Sequence, residues 1–211
     1  MIKLIAMATM LIDHIGAVFF PEILWLRIIG RISFPLFAWG IARGYRYTRS
    51  FRRYAVRLLA VGLVSQLPYV LLFGPLFDEK YLNVCFTLLD GLLVLKLYDS
   101  RRLPAPVRVA GIAALLALSH FMNLEYGIYG VLTVLFFHLF WEDKSMFVYQ
   151  GILTLGGTML YRFHPIQLFS VLSSLLPTCL RKYDFKLNKY VQYGFYPIHI
   201  ILLLLIRGFT G

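Results

Sequence analysis

The chain has 211 residues, of which 60% are hydrophobic and only 15% charged. A soluble domain carries about 25% charged residues, and here the apolar residues come in long runs, so the composition excludes an ordinary soluble domain and points to membrane spans. The net charge of +11 is gathered in short stretches between those runs, which is the positive-inside pattern of a membrane protein and not a nucleic-acid surface.

Hydropathy places spans at roughly 2–20, 23–45, 54–77, 82–98, 106–121, 126–141, 146–161, 165–180 and 191–209. This predicts an all-α polytopic membrane bundle of roughly nine helices, forming one domain over 1–211. Several runs fall short of the roughly 20 residues that a perpendicular crossing needs. The first run holds Asp13 and His14 in its interior, unlike the apolar stretch of a signal peptide. The second holds Arg27 and Arg31, followed by Pro35. Asp90 lies in the fourth, His138 in the sixth and His199 in the ninth. The basic connections carry Arg43, Arg46, Arg49, Arg52, Arg53 and Arg57, then Arg101, Arg102 and Arg108, then Arg181, Lys182, Lys186 and Lys189. Pro21-Glu22, Asp78-Glu79-Lys80, Glu125 and Arg162 to His164 mark the other face. That asymmetry predicts a cytoplasmic N-terminus and an external C-terminus. Cys85 and Cys179 each stand alone in an apolar segment, and His120, His138 and His164 show no metal spacing, so neither disulfide nor metal is predicted; the histidines read as packing or interfacial residues.

A charge at mid-bilayer costs about 2.5–3.5 kcal/mol even on lenient scales, so each ionisable residue inside a span should face the bundle interior and is a functional candidate. Counting from the outer end, His14 lies about 9 Å deep and Arg31 about 12 Å deep, so the two can meet. Lys3 and His14 are eleven steps apart, about three turns and 16 Å along one stripe. That spacing suits a long ligand with its anionic end at Lys3 and its reactive end at His14. Pro35 offers no N–H to the Arg31 carbonyl, which predicts a polar notch in the second span. Arginine forks in the 43–57 loop match phosphate geometry.

The strings MIKLIAMATMLIDHIGAVFF, IIGRISFPLFAWGIARGYRYTRS and YAVRLLAVGLVSQLPY, followed by LNVCFTLLDGLLVL, EYGIYGVLTVLFF and YGFYPIHIILLL, resemble the TraX family of membrane proteins in order along nearly the whole chain. Over about 99–120 the likeness is mainly one of hydropathy. The family's known activity is acetylation of the N-terminus of conjugative pilin, and it looks related to acyltransferase-3 proteins and to the lysosomal heparan glucosaminide acetyltransferase. In acyltransferase-3 proteins a basic residue precedes a functional histidine by ten intervening residues, as Lys3 precedes His14 here, and Phe34-Pro35-x-Phe37 looks like a second-span motif of the lysosomal enzymes. The resemblance implies a bacterial cytoplasmic-membrane enzyme that takes acetyl-CoA from the cytosol. Its phosphates would meet Lys3 and Arg43, Arg49, Arg52, Arg53 and Arg57. The acetyl group would pass to an amine or hydroxyl acceptor, a peptide N-terminus, a glycan or a small amine. His14 is the expected general base, His199 the rival base, Arg31 the oxyanion partner and Asp13 the partner of Arg31 or of another buried base. The resembling segments also supply Gln66, Asn83 and Tyr126 as candidate substrate-binding residues. A homo-oligomer, and either an acetyl-enzyme or direct transfer, are compatible with these residues. Two other functions use the same buried charges: a proton-coupled transporter or flippase, for which no internal repeat is visible, and a non-catalytic scaffold of a secretion or conjugation apparatus.

Overall fold

The computed structural model describes residues 1–76, 81–141, 145–161, 163–180, 185 and 187–210. The predicted orientation residues Asp78, Glu79, Lys80, Arg162, Arg181, Lys182 and Lys186 lie outside the described residues. Within them the elements are helical, apart from one isolated bridge between Leu82 and Leu124. In chain order they are α1 (Ile2–Phe19), α2 (Leu24–Gly30), α3 (Ser33–Tyr47), α4 (Phe51–Phe73), α5 (Val84–Tyr98), α6 (Ala105–Phe121), α7 (Gly127–Leu139) and α8 (Met146–Tyr161). A 3-10 helix (Pro165–Ser174) then runs into α9 (Leu175–Leu180), and α10 (Lys189–Thr210) closes the chain.

Four stretches are long and apolar enough to cross a membrane: Ile2–Phe19, Leu24–Tyr47, Phe51–Phe73 and Lys189–Phe209. Ala105–Phe121, Gly127–Leu139 and Pro165–Leu180 are shorter apolar helices. Among the described residues the expected runs thus comprise three continuous helices of spanning length, the Leu24–Tyr47 stretch made of α2 and α3, and a set of shorter helices. The outer faces are apolar: Leu63, Val64, Leu67 and Leu71 of α4 and Ile198, Leu202 and Leu205 of α10 are exposed, whereas Asp13, His14, Asn83, Gln150, Thr154 and His199 are buried. Polar inside and apolar outside is the arrangement that a bilayer, which cannot solvate polar groups, imposes.

α5 and α7 pack on each other at the centre, with α3 against both. Close approach needs small residues there: a Cβ on Gly130 would meet the Thr87 methyl at 2.4 Å. Trp39 of α3 stacks on Trp141 with ring centroids 5.3 Å apart, and Phe34 stacks on Tyr126 at 3.8 Å. α1 packs against α2, α3 and α10, and α10 against α4.

The second predicted span is interrupted by a two-residue turn at Arg31 and Ile32, which keep right-handed helical dihedrals. Proline fits the first turn of a helix, where its missing N–H is no loss, so α3 starts just ahead of Pro35. The Arg31 guanidinium turns back, its Nε donating to the Arg27 carbonyl at 3.2 Å, and so satisfies a carbonyl at the end of α2.

Gln66 and Asn83, expected at the substrate, hold the fold instead. Asn83 Oδ1 caps α5 by accepting the Cys85 amide at 3.1 Å, and its Nδ2 donates to the Gly62 carbonyl and to Gln66 Oε1, both at 2.8 Å. Gln66 Nε2 donates to the Tyr81 carbonyl at 3.1 Å. With these groups satisfied by protein, neither residue lines the wide cavity described below. Asn83→Ala would strand buried polar groups on α4 and α5 at about 1–3 kcal/mol. It is expected to lower the unfolding midpoint of the detergent-solubilised protein by several degrees, read by tryptophan fluorescence.

Candidate functional site

The ionisable residues of α1 and α2 meet inside the bundle. Asp13 accepts Arg31 Nη2 on both oxygens at 2.7 Å, and Arg27 Nη1 lies 3.0 Å from Asp13 Oδ2 and donates to the Asp13 carbonyl at 2.9 Å. One carboxylate thus faces two guanidiniums. The approach depends on Gly30, where a Cβ would fall 2.1 Å from Asp13 Oδ1. Arg31 Nη1 reaches Gln167 Oε1 at 3.4 Å. Gln167 continues to the Tyr129 hydroxyl, which belongs to a buried polar cluster with Gln150, Thr154 and Ser170.

His14 and His199 form a pair, 8% and 4% exposed. His14 Nδ1 lies 2.9 Å from His199 Nε2, and His199 Nδ1 lies 2.8 Å from the Phe195 carbonyl oxygen. A carbonyl only accepts, so His199 carries its proton on Nδ1. In the neutral ring its Nε2 then accepts from His14 Nδ1–H, which leaves the lone pair of His14 on Nε2. Phe73 edges onto His14 with ring centroids 4.8 Å apart, and Phe195 stacks on His199 at 4.5 Å.

A cavity of about 800 Å³ opens beside these groups, lined by Asp13, His14, Arg27, Arg31, Tyr69, Tyr81, Glu125, Tyr126, Tyr161, Phe163 and Gln167 among others. Its walls include the Asn123–Gly127 connection and His164, so it lies on the weakly charged face. A narrow slot of about 110 Å³ lies about one helical turn from the histidine pair, which does not line it. Lys3, Met7, Met10, Tyr54, Cys85, Gln192, Phe195 and Tyr196 help to line it. Met10 and Phe195 stand one turn before His14 and His199.

Of the expected site residues, Asp13, His14, Arg31 and Tyr126 line the wide cavity, and His199 touches it through His14. Lys3 lines the slot and donates to Gln192 Oε1, with Arg43 within electrostatic reach of Lys3 and of the N-terminal amine. Burial and those two cations hold that amine below its ordinary pKa. Arg43 also sits over the Trp39 ring and Arg57 over Tyr193, at 5.2 and 5.5 Å. Arg49, Arg52 and Arg53 are exposed at the α3–α4 turn. His138 pairs with Asp99 at 3.2 Å, and Asp90, buried in α5, lines neither cavity. Sequence reasoning left Arg27, Gln167 and Glu125 out of the site. Arg27 carried the same insertion-cost signal as Arg31, whereas a glutamine and a loop glutamate carry none.

The chain matches the family model described as TraX protein over residues 1–207. It is 28% identical to "Probable fimbrial assembly protein FimC" of Dichelobacter nodosus, over 96% of this chain and 92% of that protein. It is 31% identical to Protein TraX of Escherichia coli, over 62% of this chain and 51% of that one. An uncharacterized protein of Rickettsia prowazekii is 34% identical over 41% of this chain and 35% of its own length. No solved structure matches.

Removing one member of a buried ion cluster strands the others, at about 3–5 kcal/mol, whereas replacing partners together by apolar residues costs far less. Asp13→Ala is therefore expected to lower thermal stability in detergent sharply. The combination Asp13→Ala, Arg27→Met and Arg31→Met should recover most of the loss in the same melting assay.

Proposed function

The chain belongs to the TraX protein family, and from that premise we propose that it is an integral membrane acetyltransferase moving an acetyl group from cytosolic acetyl-CoA to an amine or hydroxyl acceptor in the wide cavity. The observation that carries this reading is the histidine pair: an imidazole whose tautomer is fixed by a second imidazole and a backbone carbonyl, with its Nε2 free beside a cavity large enough for a substrate.

The roles follow from the geometry. His14 Nε2 takes the proton of the attacking acceptor and returns it to the leaving thiolate. His199 positions His14 and holds its tautomer, as the orienting member of a catalytic pair does. Arg31, locked by Asp13, presents fixed positive charge to the oxyanion that develops on the acetyl carbonyl, where a site shielded from water makes it most effective. The N-terminal amine, Lys3 and Arg43 gather cationic charge at the mouth of the slot, which suits the donor's phosphates, with the exposed Arg49, Arg52 and Arg53 beyond them. The slot then leads the thioester toward the histidines. At about 110 Å³ it is smaller than the roughly 300–1,000 Å³ of ligand sites, so donor entry requires α10 to part from α1 and α4. The basic face is cytosolic in this reading, and the acceptor arrives from the other side. A protein N-terminus is one such acceptor, in keeping with a relative named a probable fimbrial assembly protein.

Purified protein in nanodiscs with radiolabelled acetyl-CoA tests the assignment. His14→Gln keeps a donor for His199 Nε2 but removes the base, and should lower the rate about a hundredfold or more. His199→Gln still accepts from His14 Nδ1–H and should lose only about tenfold. A His14→Gln protein that is folded and fully active sinks this reading. Replacing Arg49, Arg52 and Arg53 together by alanine should raise KM for acetyl-CoA severalfold at unchanged kcat, as read from initial rates.

A further inference from the structure

The acceptor side of the wide cavity holds an ionisable group that acyl transfer at His14 leaves idle. Glu125 lies between α6 and α7 in a connection whose backbone is over-determined. Asn123 takes a left-handed φ of 50°, Leu82 N–H donates to the Asn123 carbonyl, and Glu125 N–H donates to the Leu82 carbonyl, both at 3.0 Å. The carboxylate accepts from the Tyr69 hydroxyl and the Val84 amide, yet its Oε2 is buried with no hydrogen-bond partner. Neither Arg27 nor Arg31 bonds to that oxygen: both contact Asp13, and Arg31 acts on Glu125 only through space. Tyr81, Tyr126, Tyr161 and Phe163 line the same cavity. Glu125 is half-buried in the cavity wall, and a rotation that turns its unfilled, solvent-shielded oxygen toward the aromatic rings would seat an organic ammonium, which supplies N–H donors to the oxygen and a cation to the rings.

Proton accounting makes the same demand. A hydroxyl acceptor needs one base. An ammonium has no lone pair, so it must shed a proton before it attacks. When the N–C bond forms and the C–S bond breaks, the nitrogen sheds a second proton, which His14 passes to the thiolate. The balance is R–NH₃⁺ plus acetyl thioester giving amide, thiol and one free proton, and the free proton needs a base of its own. His120 is exposed and His164 Nδ1 already accepts the Ile166 amide.

We propose that Glu125 seats the ammonium group of the acceptor in the wide cavity and takes the proton that this group loses before attack, a role that rests on acyl transfer at His14. Burial pushes the Glu125 carboxyl up to about 7, Arg31 opposing and Asp13 reinforcing the shift, which makes it a base matched to neutral pH. The other titratable groups within electrostatic reach are Arg27 of α2, Tyr69 of α4, Cys85 of α5, Tyr126 ahead of α7 and Tyr196 of α10.

The probes are octylamine, an ammonium at pH 7, and O-octylhydroxylamine, which is neutral there. Calorimetric binding to the full chain in detergent, without acetyl-CoA, should weaken about tenfold for octylamine in Glu125→Gln and stay unchanged for the neutral probe. Glu125→Asp should restore most of the affinity, which loss of packing alone would not allow. In turnover at pH 7 Glu125→Gln should lose about a hundredfold in kcat/KM with octylamine, because only about one such amine in 2,500 is neutral there. The deficit should close as pH approaches 10. Equal octylamine affinity in wild type and Glu125→Gln overturns the proposal. Glu125-dependent binding with no acetyl transfer by the wild type supports the ammonium seat and overturns the acyl-transfer reading instead.

Discussion

A carboxylate held between two guanidiniums inside an apolar bundle is the constraint around which the rest is arranged. Each of these charges alone would cost several kcal/mol to bury. Together they are tolerable only if Asp13, Arg27 and Arg31 stay in contact, and contact dictates the local architecture. The α1–α2 seam must come close enough for Asp13 to lie over Gly30, where no side chain fits. The second span turns after Gly30, where Arg31 reaches Asp13 and the Arg27 carbonyl at once. The wide cavity exists where those groups and the Asn123–Gly127 connection hold the helices apart.

Two spaces open near the histidine pair. One is a wide, polar and aromatic chamber, the other a tight apolar slot with Lys3 at its far end. A relay anchored on a backbone carbonyl gives His14 one defined tautomer without any buried anion beside it. The acidic groups of the chamber are occupied elsewhere: Asp13 with its arginines, and Glu125 with Tyr69 and Val84 on one edge. Arg31 is tied on three sides, to Asp13, Gln167 and the Arg27 carbonyl, a fixed charge of the kind the proposed acyl transfer calls for. A positive charge stabilises a transient anion best when it need not reorganise.

The outer surface serves a different requirement. α4, α8 and α10 present Leu, Ile, Val and Met outward, while the polar cluster around Tyr129 is sealed within. A bilayer allows that arrangement and water would penalise it. The match to the TraX family over almost the whole chain places this plan within a group whose named relatives include a fimbrial assembly protein.

Asp13, His14, Arg31 and His199 were legible in the sequence because charge inside an apolar run is expensive, and the expense marks them whatever the fold. The helical class was legible for the same reason, since solvent sorts residues before any tertiary contact forms. Gln66 and Asn83 misled because a neutral amide looks alike whether it meets a ligand or a carbonyl, and here carbonyls took them. Glu125 carried no signal because a carboxylate in a loop costs nothing until the loop folds inward. Only the tertiary structure decided that it does, and that His199 meets His14 across 185 positions of chain. Periodicity reports which face of a helix is buried, while pairings between distant helices depend on packing that no local pattern encodes.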